Sequence, residues 1–180
     1  MFLHRPLQID GRVSRVVRLS DRVTMPWKNG GGITHELLRV EGAAGFDVRL
    51  SIAEVATEGP FSRFPGVDRV ILLLEGEQCV LTRDDGTVVR LTPGRPFAFL
   101  GEDSWGCTLP SGPVRDFNVM TSRASTRAAV LVLGPGRVDA TYALALASGR
   151  VGDTRVEAGE LLVLDGPVAS EVPVVAVTIT

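Results

Sequence analysis

LTPGRPFAFLG, residues 91–101, and VEAGELLVLDG, residues 156–166, are two versions of one pattern. Each begins on an apolar residue, turns at a glycine (Gly94 or Gly159), runs through apolar positions and stops, at the same spacing, on Gly101 or Gly166. Upstream, LLLEG ending at Gly76 matches LALASG ending at Gly149, and the second copy has the shorter hairpin. Glycine tolerates the positive φ that tight turns demand, so recurring glycines mark recurring turns. Strand, glycine turn, hairpin, glycine turn, strand is the order of one half of a jelly-roll barrel. Two copies in one chain point to a double barrel. No low-complexity linker separates them, so residues 1–180 are expected to form a single unit.

Outward from the repeat, the chain keeps reading as strands. RVSRVVRL, GITHELLRV, FDVRLSIAEV, RVILLLEG, VRDFNVM, AAVLVLG and VVAVTIT are β-branched or alternating runs bounded by turn residues. DDG at 84–86, between two such runs, signals a hairpin. TYALALASG fits a helix capped by Asp139 and stopped by Gly149, but also a strand alternating at Tyr142, Leu144 and Leu146. Its place in the repeat favours the strand. The expected fold is all-β, with a first barrel over residues 46–120. The second copy is short of strands, so residues 121–180 are expected to recruit N-terminal strands from residues 12–40.

Composition narrows the class of function. The chain is 44% hydrophobic with a net charge of −2, from 19 Lys and Arg against 21 Asp and Glu. That balance gives no reason to expect nucleic acid or an anionic membrane as partner. MFLHRPLQIDGRVSRVV lacks the apolar core of a secretion signal. No apolar run approaches the roughly 20 residues of a membrane span. A cytoplasmic protein is expected, with Cys79 and Cys107, which lack CxxC spacing, as buried reduced thiols.

MPWKNGGGITHE, residues 25–36, tests the obvious phosphate motifs and fails them. A P-loop lysine follows its glycines, whereas Lys28 precedes them; in a dinucleotide fingerprint, His35 stands where the third glycine is needed. The glycines form either a plain loop between strands or a loop that lets backbone N–H groups approach a ligand. Trp27 is either core or a flat wall of a site, with Asn29 a hydrogen-bonding fork beside it.

Polar pairs on apolar strands carry the chemical signal. In FDVRLSIAEV, Asp47, Arg49 and Ser51 share a face; in GITHELLRV, Thr34 and Glu36 do; in VRDFNVM, Asp116 and Asn118 do. Such faces are either wet exteriors or the lining of a barrel cavity. In a cavity, Arg49 would anchor a carboxylate through its planar fork of donors. His35 points away from Thr34 and Glu36, which suits a structural role.

GPFSRFPGVDRVILLLEGE, residues 59–77, resembles the first cupin motif with its metal ligands replaced. Arg69 stands where that motif places a glutamate, Ser62 and Phe64 where it places histidines, and Ser104 or Trp105 where a second motif places another. With only His4 and His35 in the chain, no metal or other cofactor is expected. Arg69 would reverse the sign of the site and favour an anion.

MPWKNGGGITHE, FDVRLSIAEV running into GPFSRFPGVDRVILLLEG, and GPVRDFNVMTSR at 112–123 together resemble the HutD/Ves family. The resemblance is clear over residues 10–125 and looser beyond. It implies an RmlC-like bicupin of two double-stranded β-helix barrels. It also implies a cytoplasmic role beside histidine-utilisation genes, binding a metabolite such as N-formylglutamate. The family's motif positions carry over as Trp27, Asn29, Gly30, Gly31, Gly32, Thr34, Glu36, Arg49, Ser51, Phe61, Ser62, Arg69, Asp116 and Asn118.

The leading expectation is therefore non-catalytic binding or sensing of a small anionic metabolite, with a homodimer allowed. The competing one is a metal-independent isomerase or hydrolase acting on a small carboxylate, with Glu36, Asp116 or His35 as general base. A third is an interaction module whose polar strand faces are plain exteriors. No nucleophile–base spacing in the chain is diagnostic of catalysis.

Overall fold

The computed structural model of the chain describes residues 10–43 and 45–180. These residues are all-β apart from a 3₁₀ turn at Leu19–Asp21, and none of their helices is long and apolar enough to cross a membrane. Chain contacts divide them into two compact units, Ser20–Ala128 and the stretch ending at Leu19 together with Ala129–Ile179.

The first unit holds β2 (Val23–Pro26), β3 (Gly32–Val40), β4 (Val48–Val55), β5 (Gly59–Pro60) and β6 (Val67–Glu75). It continues through β7 (Cys79–Arg83), β8 (Val88–Leu91), β9 (Phe97–Leu100), β10 (Trp105–Thr108) and β11 (Val114–Ser122). A six-stranded sheet in the order β2-β3-β4-β11-β6-β9 and a four-stranded sheet in the order β5-β10-β7-β8 share one core. That core joins Ala53, Val55, Ile71 and Leu73 from the first sheet to Leu81, Leu91, Trp105 and Cys107 from the second.

The second unit holds β1 (Arg12–Val17), β13 (Gly136–Val138), β14 (Tyr142–Ala145), β15 (Gly149–Val151) and β16 (Thr154–Val156). β17 (Leu161–Asp165), β18 (Val168–Ser170) and β19 (Val174–Ile179) follow, while β12 (Ala128–Leu133) begins at the division. Its sheets run β1-β17-β14-β19-β12 and β13-β18-β15-β16 around Ala143, Val151, Leu162, Val168 and Val174.

The pairing order of β4 to β11 recurs in β12 to β19. β4-β11-β6-β9 corresponds to β12-β19-β14-β17, and β5-β10-β7-β8 to β13-β18-β15-β16. The repeat glycines explain why both copies turn alike, since Gly94 at φ +79° and Gly159 at φ +86° occupy the left-handed region. TYALALASG gives strand β14, whose Tyr142, Ala143 and Leu144 pair with both β17 and β19.

The N-terminal expectation needs correction. β1 does join the C-terminal sheet, Val17 opposite Leu161, but β2 and β3 do not. β3 pairs along its length with β4, from Gly32 opposite Val55 to Val40 opposite Val48. A strand followed closely by its antiparallel partner closes a short loop, which costs less chain entropy than a long return. Residues 12–40 are thus divided between the units, and the first unit spans residues 20–128 rather than 46–120.

Cys79 and Cys107 are buried free thiols on neighbouring strands β7 and β10, with Sγ atoms 3.0 Å apart. The contact with Cys107, followed by burial, pushes the Cys79 thiol well up.

Candidate functional site

A cavity of about 470 Å³ lies on the face of the six-stranded sheet that carries the core. Alternation builds its floor. β4 contributes Arg49, Ser51 and Ala53, β6 contributes Arg69 and Ile71, and β11 contributes Asp116, Asn118 and Met120. Register places Asn118 between Ser51 and Ile71, and Met120 between Arg49 and Arg69. The two arginines therefore flank the central strand.

Their electrostatic situations differ. Arg49 Nε donates to Glu36 Oε2 at 2.6 Å, a close ion pair. Among the described residues, Arg69 has no carboxylate in contact. Its Nη2 donates to Asn118 Oδ1 at 2.9 Å and its Nη1 to the Ser62 carbonyl at 3.1 Å, while its Nε is buried without a partner. Three rings surround the guanidinium, Phe99 at 4.8 Å, Phe64 at 5.4 Å and Phe61 at 5.6 Å. Burial lowers the Arg69 pKa to about 10, which leaves the group charged at neutral pH.

Asn118 links Arg69 to Asp116. A guanidinium only donates, so the amide oxygen faces Arg69 and the amide nitrogen donates to Asp116 Oδ1. Asp116 is 3% exposed. Burial raises its pKa to about 7, and the nearby charge of Arg69 opposes that rise only in part.

The cavity brings together Trp27, Asn29, Thr34, Arg49 and Ser51 with Phe61, Ser62, Arg69, Asp116 and Asn118. Trp27 Nε1 donates to Thr34 Oγ1 at 2.8 Å, which sets the indole at one wall. Glu36 does not line the cavity; it stands behind Arg49 as its counter-ion.

Gly30, Gly31 and Gly32 are also absent from the lining, because their backbone is already used. Gly30 N donates to the Trp27 carbonyl and Gly31 N to Asn29 Oδ1. A side chain at Gly32 would strike the Glu54 carbonyl at 2.4 Å and the Trp27 ring at 3.0 Å. The glycines therefore let the loop fold back under Trp27, and the N–H groups of Gly30 and Gly31 are engaged within it.

His35 sits on the other face, Nδ1 3.0 Å from Thr24 Oγ1 and Nε2 3.2 Å from Glu54 Oε1. His4 lies outside the described residues. A divalent cation does not fit the cavity, whose floor presents two guanidinium groups and one carboxyl. Among the described residues no three His, Cys, Asp or Glu side chains converge.

The sequence reading missed Phe99, Met25, Lys28 and Met120. Phe99 is directly opposite Arg69 across the β6–β9 ladder, a relation that only strand register reveals. A second groove of about 570 Å³ lies along β8 and β9. Arg83 there is paired with Asp85 and Asp103, and Asp68 with Arg123, while Arg69 and Arg127 also line it; the candidate site is the smaller cavity because Arg49, Arg69, Asp116 and Asn118 converge there.

The family model described as HutD matches residues 19–176. An uncharacterised 21.2 kDa protein in the hutC 3′ region of Pseudomonas putida is 42% identical over 116 residues, 63% of this chain and 61% of that protein. Protein Ves of Escherichia fergusonii is 42% identical over 108 residues, 59% of this chain and 56% of that protein. Both matches thus span less than two thirds of the curated relatives. The structure of HutD from Pseudomonas fluorescens SBW25 in the formate condition superposes with a TM-score of 0.82 at 35% identity, covering 92% of this chain and 98% of that one. The oxalate decarboxylase of Lactobacillus farciminis, in its formate complex, shares the fold at a TM-score of 0.63 and 9% identity, covering 93% and 86%.

Proposed function

The chain belongs to the HutD family, and from that premise we propose that it binds a small carboxylate metabolite in the cavity around Arg69, without turning it over, as a regulatory sensor. Arg69 carries this reading. It is a charged group 6% exposed, with no carboxylate in contact among the described residues and a buried Nε that lacks an acceptor. A buried cation without a counter-ion gains most from an anion brought into the cavity that its side chain lines. Arg49, expected from sequence as the anchor, is neutralised by Glu36 and takes a supporting role. The P. putida relative in the hutC 3′ region supports a place in histidine utilisation.

On fold, we read each unit as a double-stranded β-helix and the chain as a metal-free bicupin acting in the cytoplasm. The recurrence of one pairing order in both units supports the barrel reading.

Thermal shift with N-formylglutamate, urocanate, imidazolone propionate and glutamate tests the function. One acid is expected to stabilise the wild type by about 2.7 kcal/mol at a hundred times its dissociation constant. Arg69→Gln is expected to abolish the shift and Arg49→Ala to weaken it. Equal shifts in wild type and Arg69→Gln would remove Arg69 as anchor. A second reading, metal-independent catalysis on the same acid, rests on Asp116, whose pKa of about 7 suits a general base. Loss of any of the four acids on incubation, followed by NMR, would put that reading first.

A further inference from the structure

Two side chains of the cavity, Arg69 and Asp116, lie at the two ends of one hydrogen-bonded chain through Asn118, and each has a polar atom without a hydrogen-bond partner among the described residues. One is Arg69 Nε. The other is Asp116 Oδ2; only Oδ1 of that carboxyl accepts a hydrogen bond, from Asn118. An anion drawn to Arg69 therefore arrives beside a buried carboxyl group.

The groups around Asp116 decide what form it takes. β6 presents Arg69, which bonds Asn118 and makes no ion pair with Asp116. β4 presents Arg49, already committed to Glu36 of β3. β7 and β10 present the thiols of Cys79 and Cys107, close enough for Asp116 to oppose their ionisation. Among the described residues no cation touches Asp116 directly. Two carboxylates sharing such a site do not both ionise without a large penalty, so one of them keeps a proton. A free small carboxylic acid titrates far below neutrality, whereas Asp116 is held near it by burial.

Resting on the reading of the cavity as a carboxylate site, we propose that the ligand and a proton bind together. Asp116 takes the proton from solvent and donates it from Oδ2 to one oxygen of the ligand carboxylate, while Arg69 holds the charge. The charge of Arg69 favours carboxylates over the matching amides, and the proton requirement makes that preference fade as pH rises. An amide would give its N–H to ionised Asp116 and need no proton.

Isothermal titration of the full chain with formate and acetate tests this, with formamide and acetamide as the contrasting arm. Experiments at pH 8 in phosphate and in Tris, whose ionisation heats differ, count protons directly. About one proton is expected to be taken up per acetate bound at pH 8, and the dissociation constant is expected to rise about tenfold per pH unit above 7. Asp116→Asn keeps the shape of the side chain and supplies a permanent N–H donor; its affinity for acetate is expected to be independent of pH. Equal heats in the two buffers would overturn the proposal. So would a pH dependence that survives in Asp116→Asn, or amides binding as tightly as acids at pH 6. If no carboxylate binds at any pH, the carboxylate reading of the cavity falls, and this inference with it.

Discussion

Asp116 shows how one residue can serve the cavity while weakening the fold. Unfolded, an aspartate titrates near 3.9; folded, Asp116 titrates at about 7. The native state therefore holds this proton more tightly than the unfolded chain does. By linkage, its contribution to stability is full below about pH 4, declines as pH rises, and is lost above about pH 7. Asp116→Asn should remove this slope. Relative to wild type, the variant is expected to gain on the order of a few kcal/mol between pH 4 and pH 8. Urea melts at both values would read the gain, and parallel pH profiles would contradict it. The pair Asp116 and Asn118 was visible in VRDFNVM, because alternate strand positions share a face. The difference between the two arginines was not visible. It depends on Glu36 lying beside Arg49 across the β3–β4 ladder, where a bulge between Glu36 and Leu38 shifts the register.

Among the strands, β11 organises the site. It lies between β4 and β6, and its two faces do different work. One face turns Asp116, Asn118 and Met120 into the cavity. The other buries Phe117 and Val119, at 0% and 1% exposure. Truncating a fully buried phenylalanine loses its transfer energy and leaves a void, so Phe117→Ala is expected to destabilise the protein by about 3–5 kcal/mol. Chemical denaturation measures that loss; a change within about 0.5 kcal/mol would mean that the site tolerates collapse. The sequence reading placed β4, β6 and β11 closely, since β-branched runs and glycine or proline stops are local signals. Which strands became neighbours was less legible. β11 pairs with β4 and β6, both distant in sequence, so no local signal announces the pairing.

At the scale of the molecule, β1 belongs to the unit that the C-terminal strands complete, and the other unit is built from the residues between them. β1 closes the five-stranded sheet through β17, with Ser14 Oγ donating to the Val163 carbonyl at 3.0 Å and Arg18 Nη1 2.8 Å from Glu160 Oε2. Its Val17, opposite Leu161, is 1% exposed. Deleting residues up to Arg18 strips a strand from β17 and opens an edge to solvent. The truncated chain is expected to melt more than about 5 °C lower and to self-associate through the new edge. Scanning calorimetry and light scattering check both; an unchanged melting temperature would show that β1 contributes little.

What the sequence determined by itself was the all-β character, the repeated strand order and most of the polar side chains that share the cavity. These are local properties. A glycine at a turn, an alternation of period two and a β-branched run act on the few residues around them. What only the tertiary structure decided was which charges remain uncompensated. Arg49 and Arg69 occupy similar strand positions, yet one meets Glu36 and the other meets Asn118 and three phenylalanine rings. Those partners arrive from strands distant in the chain, and the field at a buried group is the sum over whatever the fold brings near it.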